Sequence, residues 1–174
     1  KDVKVVNTSD ADIVAAWGTP DVTAAASWNP QLSEITKQKD TYLVFDSSKI
    51  PGEILDVLAI NTATMKAHPE LAKALTGAWF ETLAVMSKND ATATAAKTTM
   101  AQLSGTDLPG YEAQLKTTKL FYTPKENLDF TMAPALVTSN DMVRKFSFDH
   151  ALLGANATSV DVIGIEFPGG KVLG

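Results

Sequence analysis

Cysteine is absent from this 174-residue chain, and histidine occurs twice, at His68 and His150. Without cysteine, neither a disulfide framework nor a thiolate metal site can form. The two histidines lie far apart, and neither belongs to an H-E-x-x-H pattern or another metal-ligand spacing. We interpret both as structural, His68 at a helix start and His150 on a helix face. The composition therefore predicts no metal and no cofactor.

An excess of basic residues is also absent. The formal net charge is −5, with no block of five or more lysines and arginines, so no nucleic-acid partner is expected. No apolar run approaches the roughly 18 residues of a membrane span. The motifs G-x-S-x-G, G-x-G-x-x-G and the phosphate-binding P-loop are missing. With 45% hydrophobic and 20% charged residues, the chain is typical of a soluble globular protein. Enzymatic activity is not predicted.

Hydrophobic patterning predicts strands and helices that alternate early and helices that crowd later, which indicates an α/β fold. The predicted strands are residues 3–7, 22–28, 41–45, 53–61 and the segment VDVIGIEF, followed by a turn at Pro168–Gly170. The predicted helices are a short one through Trp17, PQLSEITKQ, the stripe from Leu71 to Met86, a helix closed by Gly105, and residues 139–154 capped by Ser139 or Asn140.

The segment DVTAAASWNPQLSEI raises the question of a binding site, because the large indole of Trp28 stands where a predicted strand meets a helix. Asn29 is a favoured N-cap, and Pro30 suits the first helical position. Exposed N–H groups of a first helical turn can accept an anion, and an indole can stack on a ligand. Trp28 packed under a loop is an equally good interpretation on these facts.

Asp56 stands alone inside the apolar run ILDVLAI. A carboxylate in a buried strand is costly unless it is paired. Asp56 is therefore expected either to meet a basic side chain or to face a wet cleft. Because Lys49 and Lys66 do not share its strand face, a ligand N–H donor is the favoured partner.

The segments VKVVNTSDADIVAAW, DVTAAASWNPQLSEI and FDSSKIPGEILDVLAINTATMKAHPELAKAL together resemble the periplasmic substrate-binding proteins of ABC importers. The resemblance is to the branch that includes nitrate, taurine, aliphatic-sulfonate and urea or amide binders. FYTPKENLDF and FSFDHALLG are most similar to the urea- or amide-associated members. The resemblance covers nearly the whole chain and rests on the order and spacing of its segments.

This resemblance implies a type II periplasmic-binding-protein-like α/β fold, of which the chain forms a portion of two lobes with mixed sheets flanked by helices. Residues 1–58 would be part of lobe two, and residues 59–174 would return to lobe one through a crossing near VLAIN. Such proteins are longer, so the resemblance also implies an N-terminal lobe segment that this sequence lacks. No signal peptide precedes Lys1, so the chain is expected to be cytosolic, mature or a fragment.

Carried over by position, the resemblance implies that Trp28 and Asn29 line the ligand cleft and that Asp56 receives an amino group, with Glu53 a weaker candidate for the same wall. Leu55 stands where the taurine-type pattern has tyrosine, which weakens a transfer of taurine specificity. The implied function is a periplasmic or membrane-anchored extracytoplasmic solute-binding component. It would bind a small nitrogen-containing solute between two lobes and deliver it to a membrane permease. The alternatives are an enzyme similar to thiamine-pyrimidine synthases, disfavoured by the absence of cysteine, or a sensor without transport.

Overall fold

The computed structural model describes residues 2–174 and is mostly helical, with 49% of the residues in helices and 2% in strands. The described part of the chain contains a single sheet, which has two strands. The predicted α/β fold of the type II periplasmic-binding-protein kind, with mixed sheets flanked by helices, is therefore wrong. No helix within these residues is long and apolar enough to cross a membrane.

The described residues form eight α-helices. They are α1 (Ile13–Trp17), α2 (Gln31–Thr36), α3 (Thr62–Ala67), α4 (Leu71–Met86), α5 (Ala91–Leu103), α6 (Leu108–Leu115), α7 (Pro124–Thr131) and α8 (Pro134–Asp149). Two short 3₁₀ turns, Ser47–Lys49 and Val160–Val162, interrupt the connecting segments. The predicted helices ending at Trp17, after Pro30, from Leu71 to Met86 and before Gly105 are confirmed to within a few residues.

Local side-chain bonds explain where several helices begin. Thr123 and Glu126 form a capping box at α7, each side chain bonding the other residue's backbone N–H. Asp107 caps α6 by accepting a hydrogen bond of 2.8 Å from the Gly110 N–H. Asn61 caps α3 in the same way, with 2.9 Å between its Oδ1 and the Ala63 nitrogen. These bonds satisfy backbone donors that have no partner inside the helix.

The apolar stripe of α4 is partly buried. Leu83 and Met86, near its end, are 2% and 8% exposed, whereas Trp79 is 53% exposed. The stripe therefore supplies a core contact along its last turn and leaves apolar surface along its middle.

The sheet is a hairpin of β1 (Ile165–Glu166) and β2 (Val172–Leu173), antiparallel with Ile165 opposite Leu173. The turn predicted at Pro168–Gly170 is confirmed, since Gly170 N–H donates to the Phe167 carbonyl at 3.0 Å. Gly169 and Gly170 have φ of 90° and 83°, a backbone conformation that glycine adopts without steric cost. The strand predicted for VDVIGIEF is correct for its last part, while its first part is the 3₁₀ turn Val160–Val162.

The other four predicted strands are not strands. Residues 3–7, 22–28, 41–45 and 53–61 carry no strand assignment and have no ladder partner among residues 2–174. Their side chains are widely exposed, as at Val5 (88%) and Val44 (95%). Composition correctly marks these segments as non-helical, but a strand also needs a neighbouring strand to pair with its backbone.

The chain divides into two compact units. The first unit contains the chain up to Phe45 together with Thr94–Lys119, and includes α1, α2, α6 and most of α5. The second contains Asp46–Ala93 and Leu120–Gly174, with α3, α4, α7, α8 and the hairpin. The division into lobes at residues 1–58 and 59–174 stays a prediction.

Each unit has a small core. In the first unit Ile35 of α2 and Ala101 of α5 are buried, and a salt bridge of 3.0 Å joins Lys97 to Glu112. The buried apolar residues of the second unit come from α4, the start of α5, α8 and the hairpin: Leu83, Met86, Ala93, Leu136 and Phe167.

Candidate functional site

Trp28 lies in the first unit, immediately before α2. Its indole is 63% exposed, and its carbonyl accepts a hydrogen bond of 2.7 Å from the Leu32 N–H. The side chain is therefore not part of a packed core. A role as an aromatic wall for a ligand stays a prediction.

Asn29 is held by two side chains of its own unit rather than capping α2. Its Oδ1 accepts from the Ser33 hydroxyl at 2.6 Å, and its Nδ2 donates to the Thr117 hydroxyl at 3.2 Å. The N-cap is Pro30, so the predicted cap at Asn29 is wrong by one position. With one N–H and one lone pair still unused, the amide retains some capacity for a ligand. The six-residue helix α2 offers no developed anion site of the kind predicted.

Asp56 lies in the second unit and is exposed. The segment around it is not a buried strand, so the desolvation cost that made a partner necessary does not arise. Within residues 2–174, Asp56 forms no ion pair with Lys49 or Lys66. That Asp56 binds a ligand stays a prediction. Its exposure removes the physical argument that favoured this role.

Glu53 lines a cleft of the second unit with a volume of about 260 Å³. We call it the Glu53 cleft. One wall is the segment Gly52–Val57, and the other is the middle of α8. The lining residues are Gly52, Glu53, Leu55, Val57, Ser139, Asn140 and Val143.

The segment that carries Glu53 lies against an aromatic pair at Gly52. Gly52 has φ of 84°, and a Cβ at this position would lie 3.5 Å from the Phe130 ring. Phe130 in turn packs against Phe121, with 4.8 Å between ring centroids. Glu53 N–H donates to the Ile50 carbonyl at 3.2 Å. The positive φ favours glycine at position 52, whereas the Phe130 ring lies at an ordinary contact distance from the place of a Cβ and would not by itself exclude a side chain.

Asp46 caps the 3₁₀ turn that leads into this segment. Hydrogen bonds from the hydroxyl and the backbone N–H of Ser48 lower the pKa of the Asp46 carboxyl, and the nearby Lys49 adds to the effect. The shift reflects hydrogen bonding to the charged form, because burial would raise the pKa rather than lower it. The turn before the cleft therefore carries a persistent negative charge.

The α8 wall supplies the residues that sequence reasoning misassigned. Ser139 and Asn140 were expected to cap a helix, but α8 begins at Pro134, and both lie inside it. Asn140 Nδ2 donates to the Leu136 carbonyl at 2.9 Å, which leaves Oδ1 available as an acceptor. The Ser139 hydroxyl has no hydrogen-bond partner within the described chain. The signal that was overlooked is Pro134, a residue favoured in the first helical turn.

The Glu53 cleft offers more acceptors than donors. Its polar groups are the Glu53 carboxylate, the side-chain Oδ1 of Asn140 and the Ser139 hydroxyl. The apolar side chains of Leu55 and Val57 lie beside them. None of its lining residues is basic. Such a set matches a ligand with several N–H donors and a short apolar part, and it offers no basic side chain to neutralise a sulfonate or nitrate.

No alternative centre built from titratable groups emerges in residues 2–174, where no three His, Asp or Glu side chains lie together as a metal site would need. His150 has a structural role at the end of α8. Its ring stacks on Phe146, with 3.9 Å between centroids, and its Nδ1 lies 2.9 Å from the Phe146 carbonyl oxygen.

The four predicted ligand residues are thus divided between the units, with Trp28 and Asn29 in the first and Glu53 and Asp56 in the second. Of these four, Glu53 lines the described cleft, together with Ser139 and Asn140, which the sequence did not suggest as ligand residues. Comparison of the chain with family models, with curated proteins and with solved structures found no match.

Proposed function

We propose that this protein binds a small solute rich in N–H donors, such as an amine, an amide or urea, in the Glu53 cleft. The observation that carries the proposal is the convergence of Glu53, Ser139 and Asn140 on one concave surface of about 260 Å³. A carboxylate with no ion pair among the described residues is available for a cationic or polar N–H group. The cleft is smaller than most drug-binding pockets, which suits a ligand of few atoms.

The acceptor set narrows the solute classes that the sequence left open. A taurine-like solute would place a sulfonate near Glu53 with no basic lining residue to receive it. An amine presents N–H groups alone, whereas an amide or urea presents them together with one carbonyl. The Ser139 hydroxyl can donate a hydrogen bond to that carbonyl. Leu55, Val57 and Val143 favour a short alkyl part on the solute.

We further propose that binding serves import, with the protein acting outside the cytoplasm, holding its solute unchanged and delivering it to a membrane permease. This part of the proposal rests on the resemblance of the sequence to importer binding proteins. Permease and ATPase genes beside the coding sequence would support import, and their absence would favour a sensor.

The binding proposal is tested by ¹H–¹⁵N spectra of the protein with urea, acetamide, propylamine, taurine and nitrate. We expect the first three to shift the amide signals of Glu53, Leu55, Ser139 and Asn140, and nitrate and taurine to leave them unchanged. Shifts caused by nitrate or taurine alone would contradict the proposal. So would shifts confined to Trp28 and Asn29, which would move the site to the first unit.

A further inference from the structure

A second cleft of the second unit lies between the start of α8 and the hairpin, with a volume of about 360 Å³. Its wall is mainly apolar, formed by Met132, Pro134, Val137, Phe167 and Pro168. Phe167 is 7% exposed, so its ring is anchored in the core of the unit rather than free on the surface. We call this feature the Phe167 cleft.

One cation stands at this apolar wall. Phe167 N–H donates to the Lys171 carbonyl at 2.8 Å across the hairpin turn, which makes the two residues cross-strand neighbours. Side chains at directly opposed hairpin positions lie on the same face. Both residues line the cleft, with Phe167 buried and Lys171 exposed.

Lys171 has no carboxylate partner among residues 2–174, in contrast to Lys125 and Lys145, each 2.6 Å from an aspartate oxygen. The polar lining adds little competing charge. The Thr131 and Thr138 hydroxyls donate to the Leu128 and Pro134 carbonyls, which turns their protons away from the cleft. The cleft thus combines an apolar surface with a single uncompensated positive charge.

We propose that the Phe167 cleft binds a small aliphatic monocarboxylate, with the carboxylate on Lys171 and the alkyl chain against Met132, Val137 and Phe167. Charge complementarity selects the carboxylate, because an ammonium head group would be repelled by Lys171. Partial exclusion of water by the apolar wall strengthens the ion pair relative to one in bulk solvent. The single cation favours one carboxylate over two.

This site is independent of the Glu53 cleft, although both use α8. Pro134 and Thr138, four residues apart, share one face of the helix, and Ser139 and Val143 share another. The two clefts share no lining residue of α8, since Pro134, Val137 and Thr138 line one and Ser139, Asn140 and Val143 line the other. A carboxylate on one side and an N–H-rich solute on the other therefore need not compete.

The test uses acetate, butyrate and hexanoate as probes, with hexanol and hexylamine as uncharged and cationic controls. We expect hexanoate to shift the amide signals of Val137, Phe167 and Lys171, with affinity rising about two- to fourfold per methylene added along the series. Saturating acetamide should not change these affinities, so failure of either site would be recognised separately.

Lys171→Gln should lower hexanoate affinity about three- to tenfold and leave hexanol unaffected. The matched control, Lys145→Gln, removes a lysine of the same unit from outside the cleft and should have no effect. Equal binding of hexanoate and hexylamine by the unsubstituted protein would overturn the proposal. So would shifts that map away from Phe167, or a Lys171→Gln protein with unchanged hexanoate affinity.

Discussion

The guanidinium of Arg144 lies 3.1 Å from the carboxylate of Asp161 and ties α8 to the 3₁₀ turn Val160–Val162. Arg144 is 5% exposed, whereas the side chain of Asp161 is 64% exposed. The Val160 carbonyl and Asp141, at 3.2 and 3.5 Å, complete its polar surroundings. One buried cation thereby fixes the helix that carries both clefts.

Removing Arg144 should destabilise the second unit. We expect Arg144→Ala to lower the free energy of unfolding by about 3 kcal/mol, because it removes a buried side chain with its packing contacts and leaves a space behind. Asp161→Asn should cost about 1 kcal/mol or less, since an exposed partner is screened by water. Urea denaturation followed by far-ultraviolet circular dichroism measures both. Equal losses of unfolding free energy in the two variants would show that the burial of Arg144 adds nothing beyond its ion pair with Asp161.

Trp28 should tolerate substitution. Because its indole is 63% exposed, Trp28→Ala should change the free energy of unfolding by about 1 kcal/mol or less. Acrylamide should quench the Trp28 contribution to fluorescence, taken as the difference between the protein and its Trp28→Phe variant. Protection of that contribution by urea or propylamine would support the wall role carried over from the resemblance. A loss of several kcal/mol in Trp28→Ala would instead show that the indole is packed.

The fold was predictable where the signals are local. The apolar stripe of α4 and Gly105 after α5 act within one or two helical turns, and both helices are present. The strand predictions for residues 41–45 and 53–61 were wrong, because β-branched and aromatic composition is equally compatible with an unpaired segment. Whether a strand exists depends on a second strand distant in sequence, which composition does not specify.

The candidate site was only partly predictable. Glu53 was carried over from the resemblance, and it lines the described cleft, while its role in binding stays a prediction. Ser139 and Asn140 were assigned to a cap, because their residue types favour that position. Their actual place inside α8 depends on Pro134, five residues earlier, and their role depends on a segment more than eighty residues away in the chain.

The exposed apolar segment at residues 41–45 should promote self-association. Tyr42 and Val44 are 83% and 95% exposed, and unpaired backbone beside apolar side chains favours pairing between copies. Light scattering should show association as concentration rises, and Val44→Lys should reduce it. Gln102→Lys on exposed α5 surface is the control for added charge alone. An equal reduction by both variants would assign the effect to net charge, and association unchanged by Val44→Lys would contradict the prediction.

Asp46 should titrate below the ordinary range of aspartate. Its lowered pKa means that the charged form stabilises the folded turn above the ordinary aspartate pKa of about 3.9, and this contribution is lost as pH falls through the lowered value. Carboxyl ¹³C shifts followed against pH should show that Ser48→Ala raises the Asp46 pKa. Ser47→Ala, which removes a neighbouring hydroxyl, should leave it unchanged. An identical Asp46 pKa in all three proteins would contradict the hydrogen-bond explanation.

The most direct measurement for the proposed function is calorimetry of propylamine and acetamide binding to the protein, to Glu53→Gln and to Asp56→Asn. Glu53 lines the cleft, and Asp56, three residues later, does not. Comparing the two variants therefore distinguishes the loss of a cleft carboxylate from the loss of a nearby charge. We predict that Glu53→Gln lowers propylamine affinity about three- to tenfold, with a smaller loss for acetamide, and that Asp56→Asn changes neither by more than about twofold. A loss of propylamine affinity in Asp56→Asn with full affinity in Glu53→Gln would contradict the account.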